Sequence, residues 1–182
     1  MKSFEQSRNK GFTLIELMMT IAIAAILLAI ALYDTSQMTA KEKANNFSGE
    51  FKRQLKFARA KAMTTGDPVI VCPVTTPGST GACGNDWQAG TIVMFSDINN
   101  NGSFDADADI LVRALSPLTA NSKLINTSGE SSIRFDQRGQ TATTQSFIYC
   151  PSTSDNKYNI SVDVSPSGAV RDKGSTTSTC GT

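Results

Sequence analysis

The chain has 182 residues and a formal net charge of +1, so its overall charge gives no argument for a nucleic-acid or acidic partner. It contains no histidine, which excludes histidine metal sites and catalytic triads that use an imidazole base. Hydrophobic residues make up 40% and charged residues 18%, a composition typical of one folded domain with an appended segment.

The apolar residues concentrate in one run near the N-terminus, residues 12–33, in which Glu16 is the only charged residue. A helix of this length spans about 30 Å, the thickness of the hydrocarbon core of a bilayer. Residues 1–11 carry a net charge of +2, as the positive-inside rule expects at a cytoplasmic end. A secretory signal peptide cleaved after residues 29–31 and an uncleaved signal anchor are alternatives, but neither accounts for a carboxylate inside the run.

Residues 10–18, Lys-Gly-Phe-Thr-Leu-Ile-Glu-Leu-Met, resemble the class III signal of type IV pilins and type II secretion pseudopilins. The resemblance implies that a prepilin peptidase cuts after Gly11 and that Phe12 becomes the N-methylated mature N-terminus. It also implies that Glu16 compensates the charged amine of a neighbouring subunit in a filament, and a paired carboxylate is tolerated in an apolar helix bundle. Many pilins have a proline near the end of the run, where this chain has Tyr33, so a kink tied to that proline is not implied.

Residues 34–65 have the pattern of an amphipathic helix that continues the apolar run into one helix of about 50 residues. Residues 41–61 contain seven basic and two acidic side chains, which predict a solvated flank that also suits anionic lipid headgroups or acidic filament neighbours. Gly66 and Pro68 predict where this helix ends. The apolar face consists of Ala44, Phe47, Phe51, Leu55, Ala58 and Ala62.

Residues 66–182 predict a β-rich head, because short β-branched and aromatic segments alternate with turns. Strands joined by short turns favour antiparallel sheets, whose apolar face the amphipathic helix would cover. The low-complexity tail, residues 173–179, is expected to be mobile unless Cys180 ties it down. The predicted strands are residues 69–72, 91–95, 110–112, 123–125, 132–135, 146–150, 158–164 and 169–171.

The head carries, in order, motifs at residues 83–90, 91–95, 97–102, 133–139 and 164–168. This order resembles the GspH/FimT family of minor pilins and pseudopilins, which includes FimU-type priming subunits. The resemblance implies an α+β, type IV pilin-like fold in which a long N-terminal helix packs on antiparallel β-sheets. The predicted regions are a leader (1–11), a transmembrane half of the helix (12–33), an amphipathic half (34–65) and the head (66–182).

The four cysteines predict two disulfide bonds, because export would place the head in an oxidising compartment. Of the three connectivities, we favour Cys72–Cys83 and Cys150–Cys180, since each closes the loop or tail between its partners. Zinc binding and redox catalysis are alternatives that the absence of a Cys-x-x-Cys pair disfavours.

An Asp-Asn-Gly loop is the one segment with metal-ligand spacing. Asp97, Asn99 and Asn101 stand at positions 1, 3 and 5 of a calcium-type loop and Gly102 at position 6, but Ala108 replaces the glutamate expected at position 12. A turn between two strands is the favoured interpretation, and calcium is the alternative. No cofactor is expected.

We expect a minor pilin that assembles into or primes a type IV pilus, with its head in the periplasm after passage through the inner membrane. Its expected partners are other pilins, the prepilin peptidase, the inner-membrane assembly platform and the membrane. A type II secretion pseudopilin of the H type is the alternative. A minor pilin that binds DNA for natural transformation, through Arg171 and Lys173, is a further alternative. It is disfavoured because residues 62–182 carry seven basic and eleven acidic side chains. An enzyme is not expected, since nothing in the sequence activates a catalytic carboxylate.

Overall fold

The computed structural model describes residues 11–32, 35–76, 80–88, 90–115, 117–119, 121–152 and 157–180. Side chains at positions 32 and 35–37 are outside this description. The chain divides into two compact units, residues 1–39 and 40–182. The predicted leader up to Lys10, and residues 33 and 34 at the predicted junction of the two helix halves, lie outside the described residues.

The first unit contains helix α1, Leu14–Leu32, which is almost entirely apolar. Its stretch Leu14–Ala31 has a mean hydropathy of 2.6, and none of it is buried. By length and composition this helix is able to cross a bilayer. Within α1, Glu16 is the only charged side chain.

Helix α2, Thr35–Thr65, has the apolar face that its spacing predicts. Ala44, Phe51, Leu55, Ala58 and Ala62 are all buried, and Phe47 is half-buried against the same core. The helix ends at the expected place, because Gly66 takes a left-handed conformation (φ 76°) and donates its N–H to the carbonyl of Ala62.

The described residues of the head form eight strands in two antiparallel four-stranded sheets, which confirms the predicted α+β fold. The first sheet has the order β3-β2-β1-β5 and the second the order β4-β6-β7-β8. The strands are β1 (Val69–Val74), β2 (Thr91–Ser96), β3 (Ile110–Ala114), β4 (Lys123–Asn126), β5 (Ile133–Phe135), β6 (Gln145–Cys150), β7 (Ile160–Val164) and β8 (Val170–Ser175).

One core joins α2 to both sheets. Phe51 and Leu55 of α2 pack in the same buried cluster as Val71 of the first sheet and Phe147 of the second. A second cluster lies on the other side of the first sheet, where Ile70, Cys72, Val93 and Phe95 pack with Phe104. Strand β1 is therefore buried on both faces, as its unbroken apolar sequence indicates.

Pro73 lies within β1, although proline removes a backbone donor from a sheet. Strand β5 pairs only with Val69, Ile70 and Val71, so Pro73 has a neighbouring strand on one side only. Because β5 does not reach Pro73, the lack of a backbone N–H at this proline removes no hydrogen bond to that strand.

The tail is more ordered than its composition predicts. Strand β8 continues to Ser175 and pairs with β7 through a register shift between Ser161 and Val162. Thr176 then donates its N–H to the carbonyl of Asn159, and the Asn159 amide donates to the carbonyl of Ser178. Backbone pairing, which composition does not reveal, holds these residues together with the Cys150–Cys180 disulfide.

Candidate assembly surfaces

The start of α1 places the predicted processing residues next to a capped helix end. Gly11 and Phe12 precede the helix, and the Phe12 side chain is 85% exposed. Thr13 caps the helix, because its Oγ1 and its carbonyl oxygen both accept the N–H of Glu16, at 3.3 and 3.1 Å. Glu16 is exposed in the first turn of α1, where a carboxylate is favoured by the helix dipole.

Most of the exposed large hydrophobic side chains of the described residues lie on α1. Every described side chain of the helix is exposed, and the large ones are each at least 55% exposed. Such a surface is stable only in lipid or against other apolar helices. The members are Leu14, Ile15, Leu17, Met18, Met19, Ile21, Ile23, Ile26, Leu27, Leu28 and Ile30.

The basic residues of α2 divide between internal contacts and solvent. The Lys52 ammonium lies 2.7 Å from the carboxylate of Asp172 on β8, and Arg59 Nε donates to the carbonyl of Gly139. Lys41, Lys43 and Lys56 are exposed, and the described residues include no ion pair to them. The basic flank is therefore partly a docking surface for the head and partly solvated.

Asp172 links β8 to α2. Its partial burial raises the pKa, but hydrogen bonds from Lys52, the Gly174 N–H and Ser48 outweigh that cost, and the pKa is held below its ordinary value. The sequence pattern placed Ser48 and Lys52 on α2 but gave no sign that both bind Asp172. Strand pairing alone brings Asp172 to the helix.

The two residues considered as DNA contacts in the disfavoured alternative are in different environments. Lys173 lies 2.5 Å from Asp163 Oδ2 of the neighbouring strand, while Arg171 is exposed. With Asp172 between them and bound to Lys52, this stretch of β8 has little unpaired positive charge. DNA binding is unsupported by this arrangement, because phosphate contacts need local positive charge.

The Asp-Asn-Gly loop closes on itself. The fully buried Asp97 accepts the N–H groups of Asn101 and Gly102 and a hydrogen bond from Arg134 Nη1 at 2.5 Å. The Asn99 and Asn101 side-chain amides both donate to Asp105 Oδ2, at 2.8 and 2.6 Å. The guanidinium of Arg134 thus supplies the positive charge beside Asp97, which favours a structural turn.

Two further features of this loop were not predicted. Asp109, one residue beyond position 12 of the calcium pattern, is buried and accepts the N–H groups of Ile98 and Asp105. Arg134 stands in β5 between the core residues Ile133 and Phe135, so its side chain points to the opposite face of the strand. That alternation was visible in the sequence, but its target, Asp97, was not.

Both disulfide bonds have the pairing that the sequence analysis favours. Cys72–Cys83 joins β1 to the following loop, and Cys150–Cys180 joins the end of β6 to the tail. The Cα atoms lie 5.6 and 6.2 Å apart, within the usual range.

A groove of about 430 Å³ lies between α2, the end of β3, the residues that follow β3, and Tyr149 of β6. No pattern in the sequence indicates this groove. Its half-buried apolar residues, Leu115 and Leu118, stand outside the periodic segments from which the core was predicted.

Comparisons with known proteins agree with this architecture. The family model described as "Type II transport protein GspH" matches residues 48–168, and the model described as "Prokaryotic N-terminal methylation motif" matches residues 6–32. No curated protein sequence matches the chain significantly.

Solved structures of two proteins illustrate the shared fold, both at low sequence identity. One is the type IV minor pilin FimU of Pseudomonas aeruginosa, with a TM-score of 0.59 and 15% identity over 76% of this chain and 93% of that chain. The other is the minor pseudopilin EpsH of the Vibrio cholerae type II secretion system, with a TM-score of 0.52 and 12% identity over 75% of this chain and 99% of that chain. The GspH family model matches more than half of the residues of this chain, so the chain belongs to the GspH family and is a minor pilin or pseudopilin.

Proposed function

We propose that this protein is a minor pilin that inserts into, or primes, a type IV pilus. The observation that carries the proposal is α1, an exposed apolar helix with a single carboxylate in its first turn. An exposed apolar helix needs lipid before assembly and other apolar helices afterwards. The carboxylate is costly in either environment unless a cation pairs with it.

Maturation would supply that cation. In the proposal, the prepilin peptidase cuts between Gly11 and Phe12, Phe12 is N-methylated, and its amine pairs with Glu16 of a neighbouring subunit. Gly11 has no positive φ, and a Cβ there would meet no atom within 4 Å. The fold therefore does not require glycine at this position, which supports a requirement set by the peptidase.

The proposed topology is a single pass through the inner membrane with the head in the periplasm. In this proposal residues 1–11 are the leader, 12–33 the transmembrane half of the helix, 34–65 its amphipathic half and 66–182 the head. The two disulfide bonds support an oxidising compartment for the head. The assembly platform of the inner membrane would lift the subunit into the filament.

The H-type pseudopilin of a type II secretion system is the second candidate. Its support is the family description and the shared fold with EpsH. We favour the pilus because the head has two disulfide bonds, one of which anchors a long tail. Stronger attachment of the tail suits a subunit exposed on an extracellular fibre.

The test uses the full-length chain in its own host. We expect mass spectrometry of the membrane-extracted protein to find methylated Phe12 as the N-terminus, and sheared pili to contain the protein. Gene deletion should reduce piliation and twitching and leave type II secretion unchanged. An intact Met1, or an N-terminus near Leu32, would contradict the maturation step. Loss of secretion with normal piliation would assign the chain to the secretion system.

As matched variants, Gly11→Val should block cleavage, whereas Asn9→Ala should leave it unchanged. Glu16→Ala should permit cleavage but reduce the amount of chain in sheared pili by about tenfold or more, because the buried amine loses its partner. Thr20→Ala, an uncharged change one turn away, is the control.

A further inference from the structure

The groove beside the connection from β3 to β4 has an apolar lining formed by separate parts of the head. Phe47 and Phe51 come from α2, Leu115, Pro117 and Leu118 follow β3, and Tyr149 comes from β6. Its volume, about 430 Å³, is large enough for two or three large side chains.

The floor of the groove is held in place by the core. The Phe47 ring stacks on Tyr149 with centroids 4.0 Å apart, and Phe51 contacts Phe147 edge to face at 5.3 Å. Tyr149 and Phe51 are themselves buried. The floor of the groove is therefore already ordered, so binding of a partner costs little conformational entropy there. Such order is typical of well-packed anchor pockets.

The rim of the groove is positively charged. Arg113 is held at the rim by a hydrogen bond from Nη1 to Gln54 Oε1, at 3.0 Å, and by the Phe57 ring, 5.0 Å from its guanidinium carbon. Neither Arg113 nor Lys43 has an ion pair among the described residues. The rim also contains Glu50, but Arg53 and Gln54 already donate to its carboxylate oxygens. Arg113 also acts electrostatically on Glu50, so the charged side chains that line the groove, Lys43 and Arg113 against Glu50, leave a net positive charge at the rim. A net positive rim suits an acidic group on the partner.

The neighbouring edge of the first sheet restricts the shape of the partner. Strand β3 is the outer strand of its sheet, and its Ile110 is 58% exposed. A register shift opposite Met94 and Phe95 interrupts the regular edge. An extended segment can therefore pair with β3 over a short stretch only, and the groove must supply most of the contact.

We propose that this groove binds a short segment of a neighbouring subunit that is a different pilin, in which a large apolar side chain stands next to an aspartate or glutamate. The inference rests on the proposed function, because it takes the partner to be another filament subunit. The apolar side chain occupies the groove over Phe47 and Tyr149, and the carboxylate pairs with Arg113 and Lys43 at the rim.

The test is site-specific photo-crosslinking in cells with the full-length chain. A benzophenone amino acid replaces Asn46, which lines the groove, and in a matched control it replaces Asn45, which is exposed but outside the groove. We expect adducts at position 46 and not at position 45. The adduct peptide should come from a protein with its own prepilin signal and should contain an acidic residue next to a large apolar one.

Second-site variants test the fit. Ala114→Trp places an indole in the groove from an exposed position and should lower adduct yield at position 46 by about tenfold, as expected for loss of an anchor contact. Ala108→Trp, exposed and outside the groove, should change nothing. Lys43→Glu should lower the yield by about fivefold, and Lys41→Glu should not. An unchanged melting temperature shows that the Ala114→Trp variant folds. If that variant does not fold, the comparison of Lys43→Glu with its control Lys41→Glu decides the result.

The groove inference is overturned if position 46 gives no adduct with another pilin, or if its adducts form only with lipid or with a second copy of this chain. An adduct yield that neither Ala114→Trp nor Lys43→Glu lowers overturns it as well. The amount of this chain in pili sheared from the same cells tests the proposed function separately. Pilin adducts at position 46, with no chain in the pili, would overturn the pilus assignment and support the groove.

Discussion

The Cys150–Cys180 bond closes a longer loop than Cys72–Cys83, and this difference predicts unequal contributions to stability. The partners are 30 residues apart in the first bond and 11 in the second. The chain-entropy relation then gives about 3.6 kcal/mol for the first bond and about 2.8 kcal/mol for the second at 25 °C. We expect Cys150→Ala with Cys180→Ala to destabilise the head more than Cys72→Ala with Cys83→Ala.

Contacts in the tail support the same order. Cys180 packs with Ile148 and Cys150 in a small buried cluster. The Asn159 amide also donates to the carbonyl of Ser178. When the disulfide is removed, the tail is held only by such contacts, so any detachment adds to the entropic loss.

The assay is urea unfolding of the fragment 40–182, which contains all the buried hydrophobic residues of the described chain. Trp87 is the only tryptophan and is 3% exposed, so its fluorescence reports unfolding of the core. In thermal melts we expect the melting temperature to fall by about 12 °C when the Cys150–Cys180 bond is removed and by about 9 °C when the Cys72–Cys83 bond is removed. Wild-type fragment in reducing agent should approach the variant that lacks all four cysteines.

The reasoning would be refuted if the Cys72–Cys83 variant were the less stable of the two. Equal losses would show that loop length does not set the stabilisation in this head. Wild-type stability in either double variant would show that the bond contributes nothing to the folded state.

Three further outcomes are expected in the same fragment. In urea titrations, Phe51→Ala should lower the free energy of unfolding by about 3–5 kcal/mol, because the ring is buried between α2 and the second sheet. Phe57→Ala on the same helix should lower it by less than about 1 kcal/mol, because Phe57 is 41% exposed. Asp172 has a pKa below its ordinary 3.8 in the folded head. Its ionised carboxylate therefore stabilises the fold above about pH 3.8, and this stabilisation is lost as the pH falls further, through the pKa of the folded state. Asp172→Asn should therefore lower the melting temperature at pH 7 and flatten its fall below about pH 4, and an unchanged acid profile would contradict the assignment. Gly168→Ala should cost about 2 kcal/mol or more, since φ is +73° and a Cβ would lie 1.8 Å from the Gly139 carbonyl oxygen; full stability in a thermal melt would contradict that geometry.

Much of the fold could be predicted because its signals are local. The spacing of Ala44, Phe51 and Leu55 depends only on the period of a helix, and those residues form the buried face of α2. All eight predicted strands are present, within a few residues at their ends. The end of β8 was missed, because Lys173, Gly174 and Ser175 have low strand preference. Gly174 and Ser175 are held in β8 by pairing with Ser161 and Ile160 of β7, whereas Lys173 lies at the register shift and pairs through its side chain with Asp163.

The candidate sites divide in the same way. The processing motif at Gly11, Phe12 and Glu16 is contiguous, so it was readable without a structure. The groove was not, because it joins residues of α2, β3 and β6 that are far apart in sequence.

By itself, the sequence determined the apolar helix with its single carboxylate, the amphipathic helix, the strands and the supply of cysteines, because each depends on neighbouring residues or on composition. Only the tertiary structure decided that Arg134 neutralises Asp97, that Asp172 joins β8 to α2, and that Lys43 and Arg113 border one groove. These contacts connect residues 37 to 120 positions apart, and strand order and register, which set such distances, follow from packing of the whole core.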